Sequence, residues 1–248
     1  MTNNENFWNL NIKKSGGYLI LVAILVLLLS VSFVISVPSA PIVTYVTNTT
    51  YTSGLVNRSI DAKGTITTVT LSSTQQDYKW KAYVGNVSGT LALANVGGQA
   101  IYDWSSGTAT GEVYVSRFSN VNWNNIACAD NAAVNNEQNG LSMSAGKDNI
   151  NATFNYTTHS PFLAGTIPIN GCKSTATYVN GVVQPTFTSA YFQEILLRDT
   201  GTGNLVYASL INASSTGYNN QKYDFQIIVG ENESAPTPST YFFWVELG

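Results

Sequence analysis

The chain changes its hydrophobic pattern once, abruptly, near residue 38. Residues 18–37, YLILVAILVLLLSVSFVISV, carry no charge, no Pro and no Gly, and only Ser30, Ser32 and Ser36 interrupt them. As a helix, a run of that length rises ~30 Å, the thickness of a bilayer's hydrocarbon core. Beyond Pro38 and Pro41, which end the helix because Pro lacks the N–H donor, the chain is rich in Thr, Asn, Ser and Gly and alternates with a period of two. Residues 42–51 (IVTYVTNTTY) read as a first strand or an extended stalk, and 53–64 as a linker.

Strand signals follow. Residues 65–71 alternate as a half-buried strand. In 80–93 the apolar side falls on Trp80, Ala82 and Val84, then shifts to Val87, Leu91 and Leu93, which predicts a bulge or turn near Gly85. Further short strands are predicted over 99–104, 112–117, 150–156, 165–169 and 175–179. Asp130 is expected to cap one helical turn. Residues 192–198 and 204–211 flank Asp199-Thr-Gly-Thr-Gly203, a Gly-containing hairpin loop. Tyr223, Phe225, Ile227 and Val229 share a strand face, and 241–247 (YFFWVEL), apolar on both faces, predicts a central covered strand. Roughly ten to twelve short strands at such spacing indicate an all-β fold, a β-sandwich or jelly roll. The expected organisation is a short cytoplasmic N-terminus (1–17), a transmembrane helix (18–37), a stalk or first strand plus linker (38–64) and an all-β extracellular domain (65–248).

Charge sets the orientation. Lys13 and Lys14 precede the apolar run, and no Lys or Arg follows until Arg58, so the N-terminus is expected inside and the long C-terminal part outside. The partner of 18–37 is then the lipid bilayer. Two other readings of the N-terminus stay open. A signal peptide would be cut after Ser39, with Val37 at −3, but its apolar core is usually shorter. A prepilin-like leader is suggested by Lys13-Lys14-Ser15-Gly16-Gly17.

Charged residues make up only 10% of the 248, against roughly 25% in an average soluble domain. From residue 38 onward, 9 Lys+Arg stand against 13 Asp+Glu. The basic residues are scattered singly, which excludes the clustered patch that neutralises phosphates, so no nucleic-acid partner is expected. Two cysteines occur, Cys128 and Cys172; outside the cytoplasm an even pair reads as one disulfide.

The stretches Lys81-Ala-Tyr-Val-Gly-Asn-Val-Ser-Gly-Thr, Ile101-Tyr-Asp-Trp and Gly111-Glu-Val-Tyr-Val-Ser-Arg resemble a group of archaeal surface proteins. Thr158-His159, Gly171-Cys172, Tyr178-Val-Asn-Gly, Tyr223-Asp-Phe-Gln and the C-terminal Tyr241-Phe-Phe-Trp-Val-Glu-Leu continue the likeness. It implies an anchored, exported β domain and supplies no activity.

Catalytic chemistry finds little purchase. The single histidine, His159, has no Gly-x-Ser-x-Gly turn to serve and reads as a turn or packing residue. Ser144-Ala-Gly-Lys147 matches a Ser-x-x-Lys element without its companions. Any two of the acids could form a glycosidase pair, and Asp130 and Asp148 an irregular calcium site, but no metal or cofactor is expected. Seven Asn-x-Ser/Thr sequons, at Asn48, Asn57, Asn86, Asn151, Asn155, Asn212 and Asn232, all lie beyond the apolar run, where a glycosylating system reaches them; Asn48, Asn57 and Asn232 lie in loop-like sequence. The expected function is a non-enzymatic surface structural or interaction protein, an envelope component or adhesin-like domain. The alternatives are a filament subunit that donates residues 42–51 to a neighbour's sheet edge, and a carbohydrate-binding module stacking sugars on Trp104, Trp123 or Tyr156. Partners are other surface proteins, the chain itself, or glycans.

Overall fold

A computed structural model describes residues 38–45, 76–94, 100–105, 110–143 and 146–248, with the backbone alone over 90–94 and 100–105. The hydrophobic run 18–37, the predicted strand 65–71, the linker, Asn48 and Asn57 lie outside the described residues. Among the described residues no helix is long and apolar enough to cross a membrane. The described residues are mostly β-sheet with two short α-helices.

Its centre is a six-stranded antiparallel sheet. The participants are β4 (Gly111–Ser116), β5 (Ile126–Cys128), β8 (Ser174–Ala176), β9 (Gln193–Asp199), β10 (Leu205–Leu210) and β14 (Phe242–Leu247). The order is β14-β4-β10-β9-β5, and β8 also pairs with β9. The predicted hairpin is present: β9 and β10 pair with Arg198 opposite Leu205, across the loop that Asp199 ties by accepting the Gly201 N–H.

Successive residues of the central strands feed two separate cores. Val113, Val115, Leu196, Leu205 and Tyr207 enter one; Tyr114, Ile195, Leu197, Val206, Ala208 and Trp244 enter the other. A small ribbon of β1 (Trp80–Gly85) and β13 (Phe225–Gly230) closes the first core through Ile227 and Val229. The helices α1 (Asn131–Gly140) and α2 (Ile150–Thr153) close it too, through Val134 and Ile150. A hairpin of β6 (Phe162–Ala164) and β7 (Ile167–Ile169) covers the second core through Ala164 and Ile169. Two minor pairs complete the fold, β2 (Thr90–Ala94) with β3 (Ala100–Ser105) and β11 (Ser215–Thr216) with β12 (Lys222–Tyr223).

Side chains from the large sheet finish the outer edge of β13. Ile228 N–H donates to the Glu194 carboxylate (2.9 Å), Gly230 N–H to the Tyr207 hydroxyl, and Ser209 Oγ donates to the Gln226 carbonyl (2.8 Å). An exposed ladder edge that templates aggregation is thereby consumed by the protein itself.

Several expectations are corrected. Residues 150–156 are not a strand: Asn149 accepts the Ala152 N–H and starts the one-turn α2, an Asx cap that outcompetes strand propensity. The turn at Asp130 extends to ten residues, because Ala133, Val134, Glu137 and Gln138 give α1 a buried face. Ala82 is exposed, whereas Tyr83 is the inward residue, edge-on to Phe243 at 4.9 Å. Residues 42–45 belong to no strand.

The largest correction concerns β14. Among the described residues it is an edge strand, not a central one. Phe243 and Val245 pack on the first core and Trp244 on the second, so its apolar character reports coverage of both faces and says nothing of neighbours on both edges. Beyond β14, among the described residues only Ser39 pairs with it, exchanging two backbone bonds with Val245 (2.9 and 2.7 Å). Antiparallel continuation would place Pro41 opposite Phe243, where Pro has no N–H to give. The ladder stops after one residue and the chain leaves the sheet.

Candidate functional site

The opposite edge of the sheet carries a groove of about 600 Å³. Its base is assembled from discontinuous pieces. β5 and β8 both run antiparallel to β9 and share its edge end to end. Between them, Leu196 donates its N–H to Lys173 O (2.8 Å) and accepts from Ala129 N–H (3.0 Å). The Cys128–Cys172 disulfide, with Cα atoms 4.9 Å apart, crosses this joint, so the cysteine pair predicted from count and compartment is made, and it welds two half-strands into one edge.

His159 lies beside that weld. It is buried; its Nδ1 meets Ser160 O at 2.8 Å and its Nε2 meets Cys172 N–H at 3.0 Å. Nε2 must accept from the amide, so Nδ1 is the protonated nitrogen and donates to the carbonyl. Both ring nitrogens are thereby spent on backbone, the packing role expected of the residue.

Outside β8, Tyr156 exchanges two backbone bonds with Ser174. Along this edge Ala176 is the next residue whose backbone points the same way, and among the described residues it has no backbone partner there. The far wall begins with a two-residue hairpin turn: Asn180 and Gly181 have φ of 47° and 74°, and Val179 and Val182 exchange both backbone bonds across them. Positive φ at both positions is the type I′ geometry that Asn-Gly favours. Gln226, almost fully buried, fixes this wall by donating to Thr177 Oγ1 (2.8 Å) and Tyr178 O (3.0 Å) while accepting Tyr218 N–H.

The groove surface consists of Tyr156, Thr158, Thr175, Ala176, Tyr178 and the run Val183-Gln-Pro-Thr-Phe187. None of these is charged. Tyr156, Tyr178, Val183 and Phe187 are each about half exposed. Asn-Gly was a legible turn signal that the sequence reading passed over; the wall 183–187, which has no periodicity, gave no sign of itself.

Two acids face each other across the large sheet. Glu112 on β4 stands directly opposite Glu246 on β14. Glu246 is held by Gly165 N–H and the Tyr114 hydroxyl, each at 3.0 Å. Burial, and then the neighbouring Glu246, push Glu112 up to about 8; burial raises Glu246 against the bonds from Gly165 and Tyr114. Both carboxyls are built into the joint between β4, β14 and the β6–β7 turn. Glu194, fully buried, is raised well above its usual range by burial. One of its oxygens caps Ile228 and the other has no partner.

Other candidates are not brought together. Asp130 caps α1 and pairs with Arg198 (3.0 Å), while Asp148 pairs with Lys79 (3.1 Å). Among the described residues no group of three metal-ligating side chains forms. Trp123 packs between Tyr114 and Trp244 at 4.9 and 5.5 Å and so belongs to the core rather than to a sugar platform; the Trp104 side chain lies outside the described part, and Tyr156 is in the groove. Of the sequons, Asn86, Asn151 and Asn155 are exposed, whereas Asn212 donates its amide nitrogen to Tyr191 O. Asn232 is half-buried and accepts Ser234 N–H.

Comparison with protein-family models, with curated proteins and with solved structures finds no match for this chain.

Proposed function

We propose that this chain is a non-enzymatic interaction protein of the cell surface, an all-β domain of the sandwich type carried on one membrane helix. Its groove beside β8 receives an extended, uncharged partner. The observation that carries the reading is the groove itself: a concave, charge-free surface with half-exposed aromatic side chains at an incompletely paired strand edge. Exposed apolar concavities of that kind mark interaction sites, and an open edge is where an extended segment adds. The anchor reading rests on the length of 18–37 and on Lys13 and Lys14 before it. The disulfide fits an oxidising exterior. Among the described sequons, Asn86 and Asn155 are the best placed to carry glycans.

A second reading has one observation in its favour. The exposed faces of Tyr156 and Tyr178 suit stacking on sugar rings, so a glycan ligand is the competitor to a polypeptide one.

The test joins topology to binding. Carbonate extraction of native membranes should leave the chain in the pellet, and protease shaving of intact cells should release its C-terminal part. Recovery of the whole chain in the soluble fraction would overturn the anchor. For the groove, a photo-reactive residue in place of Val183 should capture a polypeptide; binding on a glycan array that Tyr178→Ala abolishes would favour the sugar reading instead.

A further inference from the structure

The two unfinished edges of the large sheet are complementary, and they lie at its opposite ends. At the β14 edge, the chain leaves the ladder at Pro41 and continues as Ile42-Val-Thr-Tyr45. Ile42 is 97% and Tyr45 77% exposed, and Val43 is exposed as well. Three large apolar side chains in four residues, β-branched or aromatic and without charge, form a strand in search of a sheet. At the β8 edge lies a charge-free groove with half-exposed aromatic walls and a backbone position, Ala176, that has no backbone partner among the described residues.

The segment cannot fill its own groove. From β14 to β8 the sheet has four strand-to-strand steps, about 19 Å, and Ser39 sits one step further out, about 24 Å away. The six residue-to-residue steps from Ser39 to Tyr45 span at most ~21 Å fully extended, and the direct line runs through the sheet. Residues 42–45 of the same copy are therefore excluded as the occupant.

We propose that residues 42–45 of one copy insert as an added strand in the β8 groove of the next. The inference rests on the reading of the groove as an interaction surface and names its partner. Neutral Ile, Val and Tyr side chains meet a neutral lining of Tyr156, Tyr178, Val183 and Phe187, and backbone of the incoming segment reaches Ala176. Donor and acceptor are different surfaces on opposite edges, so the contact is heterologous and leaves a free donor and a free acceptor at the ends of every assembly. Copies therefore add head to tail into an open chain rather than closing as a two-fold dimer.

The experiment uses the full chain in its native membrane, with p-benzoylphenylalanine replacing Phe187, and a 1:1 mixture of isotopically heavy and light copies. Irradiation should give a ladder of multimers on denaturing gels. The cross-linked peptide, read by mass spectrometry, should contain residues 42–45 in mixed heavy–light pairs. Ile42→Asp with Tyr45→Asp, at side chains that touch almost nothing in the monomer, should lower the ladder about tenfold or more while the Cys128–Cys172 bond still forms. Adducts to a different polypeptide or to a glycan would overturn self-donation and leave the groove an interaction site. No adduct of any kind, with the disulfide intact, would overturn both.

Discussion

Replacing Glu112 by Gln removes one of two carboxyls that face each other across β4 and β14, and keeps the side chain's shape. Burial and Glu246 push Glu112 up to about 8, against an ordinary value near 4.5. Between those limits the folded state holds a proton that the unfolded state has released. Stability from this group is thus fully present below about pH 4.5 and is lost as pH rises toward 8. At about 1.4 kcal/mol per pH unit the ceiling is ~5 kcal/mol. Water reaches part of Glu112, which brings the expected effect nearer 2 kcal/mol.

The Gln variant mimics the protonated acid at every pH. Wild type and Glu112→Gln should melt together at pH 4.5 and diverge progressively, the variant gaining about 4–8 °C by pH 8.5. The assay is circular-dichroism melting at half-unit intervals over that window. Glu194 and Glu246, also raised, give both proteins a shared residual slope, so the difference between the two curves is the quantity to read. Glu231 acts with the opposite sign. Burial raises it, but Lys81, Ser239 and Asn232 outweigh burial and hold it at about 2, so its contribution is lost only as pH falls from 4.5 toward 2 and leaves the window undisturbed. A difference that is constant with pH, or a variant less stable at pH 8.5, would refute the reasoning.

Three further outcomes follow from the packing. Cys128→Ser with Cys172→Ser should cost about 4 kcal/mol by loop entropy, and hydrogen exchange should accelerate first at 126–129 and 173–176, the two halves of the welded edge. Arg117→Ala should cost about 3 kcal/mol in denaturant titration, because the Glu137 carboxylate it binds at 2.7 and 2.8 Å is buried and left alone; Glu137→Gln in the same chain should recover part of the loss. Gln226→Leu should cost about 2 kcal/mol by leaving Tyr178 O and the Tyr218 N–H unpaired, and should loosen the groove wall, seen as faster exchange at 177–179.

What could be read in advance was whatever depends on nearest neighbours. The β9–β10 hairpin announced itself through Asp199-Thr-Gly-Thr-Gly203, and Ile227 and Val229 showed their face by alternation. The disulfide followed from the cysteine count and the expected compartment. What depends on the third dimension stayed hidden. Residues 150–156 have strand composition, yet Asn149 supplies a cap and the segment turns into α2. In 241–247 hydrophobicity was read correctly as burial but wrongly as centrality, since burial concerns faces and centrality concerns edges. The opposition of Glu112 and Glu246 could not be foreseen, because pairing register across a separation of 134 positions has no local signal. The groove wall at 183–187 is aperiodic, and only the Asn180-Gly181 turn beside it was there to be noticed.

The treatment of edges bears most directly on what this molecule does. β13 has its outer groups consumed by Glu194, Ser209 and Tyr207, at the cost of burying a carboxyl with one oxygen unpartnered. A fold that accepts that cost to close an internal edge has the means to close its outer ones as well. At β14 it stops after Ser39, because Pro41 removes the donor the next rung requires, and it leaves Ile42, Val43 and Tyr45 in water. At β8 it presents aromatic side chains and no charge, where a lysine or glutamate on the rim would suffice to repel a strand. Among the described residues, protection at one edge and its omission at two others is the pattern expected under the proposal that those two edges meet in neighbouring copies.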